Sequence, residues 1–402
     1  MDKWRKIVTG VREFSPLLQM AEMGMSPEEM KQAVVDTLGP FFENPDIAGD
    51  LAVPALVGDA VNAWLLERDP WALDMCRRCL DLHRSAQDVA GEESVRACAI
   101  WEPAVCHGLR EHWSAFHLEV SKDNLAINEF RYAMLDNLGA VIEAGLGPHL
   151  RELLHQVRLR DGVANAEHGL QRMTLGEVVQ ELGETSGFPE LVAPPPWRLR
   201  LNQWRNIAKH HSSQVDGDTI VCWYGRPPSL KEIRLTRDEL QTVAVRIVSV
   251  FRAVKLARTI FFIDNVEVAR TFLPDVDIPL ETELLNFSCA IATQGFEVVH
   301  ARVTEEEASV TVKDASHLDP ERRRLHASQF VYPLWLHTSC PRVVVEYQER
   351  DGTPSLVTTA WAEDLDRVAR GEVGFSELSN LTEMADLKTG YTARRPGSQA
   401  ER

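Results

Sequence analysis

The stretch from Leu240 to Phe262 is apolar nearly all the way round a helix, and Thr236 and Glu239 open it, spaced so that each side chain satisfies the other's backbone N–H. A helix without a broad polar face has no solvent side, so this one must lie at the centre of a packed group of helices. It therefore needs neighbours all round, and the surrounding sequence supplies them.

Ser26-Pro27-Glu28-Glu29 reads as a cap followed by a proline in the first helical turn, and Leu51 to Leu66 as a further helix. Asp69-Pro70-Trp71 begins an amphipathic segment through Leu82, and Glu93 to His117 continues it with Trp101, Trp113 and Phe116. A long helix is expected from about Asn124 to Arg158, broken or kinked near Gly145-Leu146-Gly147-Pro148. Thr174 to Leu182 makes a shorter one. Gly187-Phe188-Pro189 and Pro194-Pro195-Pro196 mark a loop, and Pro196 is placed to open a helix from Trp197 to Ser212.

Strand patterns occur in two places. Thr219 to Tyr224 and Glu232 to Leu235 flank the turn material Gly225-Arg226-Pro227-Pro228, which predicts a hairpin inside an otherwise helical region. After Asp264, Phe296 to Val303 alternates and pairs with Ala308 to Val312, while Arg342 to Tyr347 joins Leu356 to Thr359 through Asp351-Gly352. The expected class is mainly α, with a helical N-terminal domain (1–123), a central helical bundle carrying the inserted hairpin (124–263), a smaller α+β module (264–389) and a disordered polar tail (390–402) that includes Arg394-Arg395-Pro396-Gly397-Ser398.

Nothing after Met1-Asp2-Lys3-Trp4-Arg5-Lys6 resembles a secretory run, and no 18-residue apolar stretch occurs, so no membrane association is expected. The seven cysteines are few and odd in number, as in reduced thiols, which makes the expected location cytoplasmic. The net charge of −17 repels nucleic acid over the surface as a whole, so any RNA contact needs a local basic patch.

Such a patch lies on the helix expected from Trp197 to Ser212. Trp197, Leu201, Trp204, Ala208 and His211, with Ile207 beside them, make an apolar face, which gives His211 a hydrogen-bonded place in the core. Across the polar side fan Arg205, Lys209, Asn206 and His210, with Arg205 and His210 roughly 140° apart at about 100° per residue. An imidazole that titrates near neutrality and a fixed guanidinium are the groups that RNA cleavage without a metal requires. Lys209, Arg198 and Arg200 are candidates to track an RNA backbone.

The spelling Arg205-Asn206-Ile207-Ala208-Lys209-His210 resembles the motif of the HEPN ribonuclease family: arginine, a polar residue, then histidine after a short gap. The resemblance covers roughly residues 124–263, and the hairpin departs from the family's all-helical pattern. It implies a helical domain that pairs as a homodimer so that both motifs line one cleft. It further implies that Arg205 contacts the scissile phosphate, His210 is general acid or base and Asn206 orients them. RNA would be left with 2′,3′-cyclic phosphate and 5′-hydroxyl ends, with neither metal nor cofactor. Many members are toxins or effectors of phage defence restrained by an antitoxin or partner protein, whereas others are inactive scaffolds, and both readings stay open.

Three rival signals compete. Cys76-Arg77-Arg78-Cys79 with His83 nearby has the inner spacing of a zinc site, to which Cys98, Cys106 and His107 are possible additions, but the same spacing suits buried thiols on a helix. His107 and His112 are five apart and cannot share a helix face as zinc-protease histidines do. Glu346, Glu349 and Asp351 read more simply as a charged hairpin end than as a metal-dependent nuclease.

Overall fold

The computed structural model describes residues 27–51, 56–116, 125–185, 188–226, 228–273, 280–292 and 294–393. The expectations at Met1–Lys6, Ser26, Asn124, Gly187, Pro227 and 394–402 lie outside them. The fold is mainly α, with two sheets of three and six strands. Among the described residues no helix is long and apolar enough to cross a membrane. The chain divides into two compact units, one drawn from 40–47 and 62–277, the other from the described residues before 40, from 48–61 and from 278 onward.

In chain order the helices begin with α1 (Pro27–Leu38), α2 (Pro45–Leu51) and α3 (Val57–Glu67). The larger unit then builds on α4 (Pro70–Ala90), which starts where the Asp69 side chain accepts the Ala72 N–H at 3.3 Å, and on α5 (Glu92–Phe116). α6 (Ile127–Ala140) does not break near Pro148. It widens into a π turn at Val141–Leu146 and continues as α7 (Gly147–Arg160). Proline has no N–H for the α ladder and its ring crowds the carbonyl four residues back, so one wider turn absorbs the misfit.

α8 (Leu175–Glu184) opens on the capping box of Thr174 and Glu177, and α9 (Leu201–Lys209) follows. α9 is shorter than the Trp197–Ser212 helix expected, because the chain at Arg200 is extended and His211 turns left-handed at φ 51°. The expected hairpin is present as β2 (Thr219–Tyr224) and β3 (Lys231–Leu235), and β1 (Ser213–Asp216) adds an antiparallel third strand on the far side of β2.

α10 (Arg237–Asp264) is the central helix. Its capping box closes with Thr236 N–H on Glu239 Oε2 at 2.7 Å and Glu239 N–H on Thr236 Oγ1 at 3.2 Å. It buries Leu240, Val243, Ile247, Val250, Val254, Ile260 and Phe261 against α4, α6 and α7. At about 1.5–3 kcal/mol per buried large aliphatic side chain, this contact is a leading stabiliser of the unit. Because α4 and α5 share this core with α7 and α10, the boundary expected at residue 123 falls inside one compact unit.

In the other unit α11 (Leu280–Ala292) leads into β4 (Phe296–Val303) and β5 (Glu307–Asp314), an antiparallel pair. α12 (Pro320–Ser328) and α13 (Val331–Thr338) cross over to β6 (Arg342–Gln348), which runs parallel to β5. β7 (Pro354–Trp361), α14 (Ala362–Ala369), β8 (Glu383–Asp386) and β9 (Thr392–Ala393) complete the order β4-β5-β6-β7-β8-β9. Ala308, Val310 and Val312 pair with Val343, Val345 and Tyr347 on one buried face, in a core with Phe287, Phe330 and Leu334. Order extends past the expected boundary at 389, since Met384 of β8 pairs with Ala393. The carboxylates near the β6–β7 turn have local partners: Asp351 accepts the Thr353 N–H at 2.8 Å and Glu349 pairs with Lys388 at 2.5 Å.

Candidate functional site

α9 buries Leu201, Trp204, Ile207 and Ala208 and so presents one apolar side to α6 and β2. The two helices approach closely where α6 has no side chain: a Cβ on Gly139 would stand 3.1 Å from Ala208 Cβ and 3.3 Å from Lys209 Cε. Between residues 198 and 212 the chain carries Arg198, Arg200, Arg205, Lys209, His210 and His211 and no acid. This is the local basic patch that a chain of charge −17 needs for an anionic ligand.

Arg205 is half-buried and already engaged. Its Nη2 donates to Glu143 Oε1 at 2.5 Å, and its Nη1 donates to Asn206 Oδ1 at 3.2 Å. Glu143 comes from the π turn. The hydrogen bond from Arg205 holds its carboxyl below the usual range, with the charges of Arg205, Lys209 and Arg151 adding to the effect and partial burial opposing it. Three cations thus surround one carboxylate.

His210 is exposed at the C-cap of α9, and its N–H still reaches Asn206 O at 3.0 Å, so helical spacing holds as far as this residue. Among the described residues its ring has no hydrogen-bond partner. The helix then closes as Ser212 N–H reaches back to Ile207 O at 3.1 Å around the left-handed His211, a Schellman ending with histidine where glycine is usual. The core position expected for His211 is therefore wrong. Its ring is exposed and meets Tyr132 edge-on at 6.2 Å, while the Arg131 guanidinium lies over Tyr132 at 4.0 Å and anchors β1 through Ser213. Arg198 and Arg200 are exposed, and Arg198 also has a positive φ of 51°.

Of the residues weighed as zinc ligands, His83 and Cys98 come together, joined by Glu152, with ligand atoms within 4.8 Å of one another. Cys76 and Cys79 stand outside this group; burial pushes the Cys76 thiol up to about 12 and the Cys79 thiol up as well, so both stay protonated. An open cleft of roughly 720 Å³ lies elsewhere in the same unit, lined in part by Arg96, His155, Glu167, His168 and Arg172. Burial keeps His155 neutral, and Arg96 is paired with Glu93 at 2.9 Å.

Sequence reasoning did not find Glu143, Arg131 or Tyr132. All three lie far along the chain from α9, and no local pattern marks them. Compared with protein-family models, with curated proteins and with solved structures, the chain matches none.

Proposed function

We propose that the chain is a metal-independent endoribonuclease of HEPN type, working as a homodimer and restrained by an antitoxin or partner until it is needed. The observation that carries the reading is the exposed His210 ring, without a hydrogen-bond partner among the described residues, one helical turn beyond Asn206 and next to Lys209, on a basic segment of an acidic protein. An RNA 2′-hydroxyl attacks the adjacent phosphorus. Its proton passes to an imidazole base, the bond to the 5′-oxygen breaks, and that oxygen leaves with a proton from an acid. His210 serves one of these transfers, and a second copy brings the imidazole for the other. Arg205, oriented through Asn206, steadies the charge that grows on the phosphate. Its pair with Glu143 is half exposed, and such pairs are worth about 0–1 kcal/mol, so a phosphate oxygen competes for the guanidinium.

The same pair favours a second reading. If Glu143 keeps Arg205, α9 is an interaction face and the chain a non-catalytic scaffold. Purified protein, His210→Ala and Arg205→Ala incubated with total cellular RNA in the presence of chelator decide between them. Cutting that leaves cyclic phosphates and vanishes in both variants supports the enzyme. Equal activity in all three places the chemistry elsewhere, and growth arrest by neither wild type nor variants on expression supports the scaffold.

A further inference from the structure

The core of the larger unit holds a polar cluster that RNA cleavage does not use. His83 of α4, Cys98 of α5 and Glu152 of α7 are 1%, 0% and 1% exposed. His83 Nδ1 lies 2.7 Å from the Cys79 carbonyl, which can only accept, so that nitrogen carries hydrogen and Nε2 faces Glu152 Oε1 at 3.2 Å. Cys98 Sγ reaches the same oxygen at 3.0 Å. Imidazole nitrogen, thiol sulfur and carboxylate oxygen therefore converge from three helices, two of the separations being 3.2 and 3.0 Å and all of them within 4.8 Å, which small shifts bring to the roughly 3.3–3.7 Å that tetrahedral donors keep around an ion with bonds of about 2.0–2.3 Å.

We propose that His83 Nε2, Cys98 Sγ and Glu152 Oε1 form a structural site for a divalent zinc-like ion. The surroundings are those of an oriented ligand set. The His83 Nδ1–H is spent on a backbone carbonyl, which aims Nε2 inward. Gln156 Nε2 donates to Cys98 Sγ at 3.5 Å, and its amide is fixed because Ser94 Oγ donates to Gln156 Oε1 at 2.8 Å. Glu152's other oxygen is held by Arg258 Nε, and Arg258 also donates to Glu102 and to the Cys98 carbonyl.

Arg258 and the two carboxylates Glu102 and Glu152 leave one negative charge for an incoming dication, and Cys98 supplies a second as its thiol proton passes to solvent on binding. A further buried imidazole lies nearby on α7, outside the group of three whose ligand atoms stand within 4.8 Å of one another. His149 is three residues before Glu152 and leaves the helix on the same side, is 2% exposed, and has both ring nitrogens buried without a hydrogen-bond partner among the described residues.

The test uses the full chain, purified without chelator, and needs no RNA readout. Zinc measured by plasma emission should be stoichiometric. After exchange, cobalt(II) should give a thiolate-to-metal charge-transfer band that persists in Cys76→Ser and is lost in Cys98→Ser, with circular dichroism showing that both variants fold. Stripping zinc from the wild type should lower the thermal midpoint by several degrees, and zinc should restore it. Folded protein that holds no zinc and takes up neither ion, or a cobalt band that survives Cys98→Ser, overturns the site and leaves a closed hydrogen-bonded ion network.

Discussion

A Cβ placed on Gly108 of α5 would stand 2.0 Å from the carbonyl oxygen of Ala144, the acceptor whose donor in an unbroken α ladder would have been Pro148. The π turn and the glycine opposite it are thus one feature: the widened backbone bulges toward α5, and only a residue without a side chain leaves it room. Gly108→Ala must push two helices apart against backbone, not against the end of a flexible side chain. It should destabilise the protein by about 2 kcal/mol or more, a fall of roughly 4–8 °C in a thermal scan. Gly58→Ala, with nothing within 4 Å of its Cβ position, is the control and should stay within about 0.5 kcal/mol. Equal midpoints for the two variants would mean that the close approach does not exist.

What was legible in the sequence was local. Capping boxes at Thr174/Glu177 and Thr236/Glu239 are spelled by residues three apart, and the β2–β3 and β6–β7 hairpins by alternation around a turn. The parallel pairing of β5 with β6 was not, because two helices separate the partners and neither strand encodes which edge it takes. His211 was misplaced for a different reason. The 3.6-residue period was carried two residues past the helix end, and a histidine at a left-handed position gives none of the warning that glycine would. A helix carrying Arg205 was legible, whereas Glu143, 62 residues from Arg205, was not, since ion pairs across a fold leave no mark in local spacing.

Removing Glu143 tests whether it competes with phosphate. Its carboxyl is held below the usual range, chiefly by Arg205, so the pair is intact at neutral pH. Any stability it lends is present above the unfolded value and is lost as pH falls through the folded one. Glu143→Gln keeps the shape and drops the charge. Short single-stranded RNA should bind up to about five-fold more tightly at low salt, the range of a half-exposed pair. Fluorescence anisotropy reads this directly, and weaker binding would show instead that Glu143 positions Arg205 for its ligand.

In the other unit His326 supplies a pH dependence. Burial first, then the charge of Arg323, pushes its imidazole down to about 4, with Asp314 opposing, and its ring nitrogens face Gln294 Oε1 at 2.6 Å and Arg323 Nη1 at 3.5 Å. The folded value lies below the ordinary histidine value of 6.5, so the unfolded chain takes up the proton first as pH falls. Stability from this residue is complete above about 6.5 and is lost between there and about 4, on the order of 2–3 kcal/mol. Urea unfolding at a series of pH values should show this slope, and His326→Gln should flatten it. A slope unchanged in the variant would assign the effect to another group.

Under the proposed nuclease reading, substitution of Lys209 separates holding RNA from cutting it. Lys209 is exposed on the last turn of α9 beside His210, and as a flexible point charge it can neutralise a phosphate. Each phosphate contact on a single strand contributes about 0.7 to the slope of log affinity against log salt. Lys209→Ala should lower that slope by roughly this amount and weaken binding alike for all sequences, with the cleavage rate at saturating RNA nearly unchanged. His210→Ala should do the reverse, keeping the slope and losing about 10²–10⁴-fold in rate. The contrast matters more than either value: a scaffold whose α9 meets protein gives no salt slope for Lys209 to change, whereas a nuclease whose base is elsewhere keeps the slope effect and loses the His210 effect.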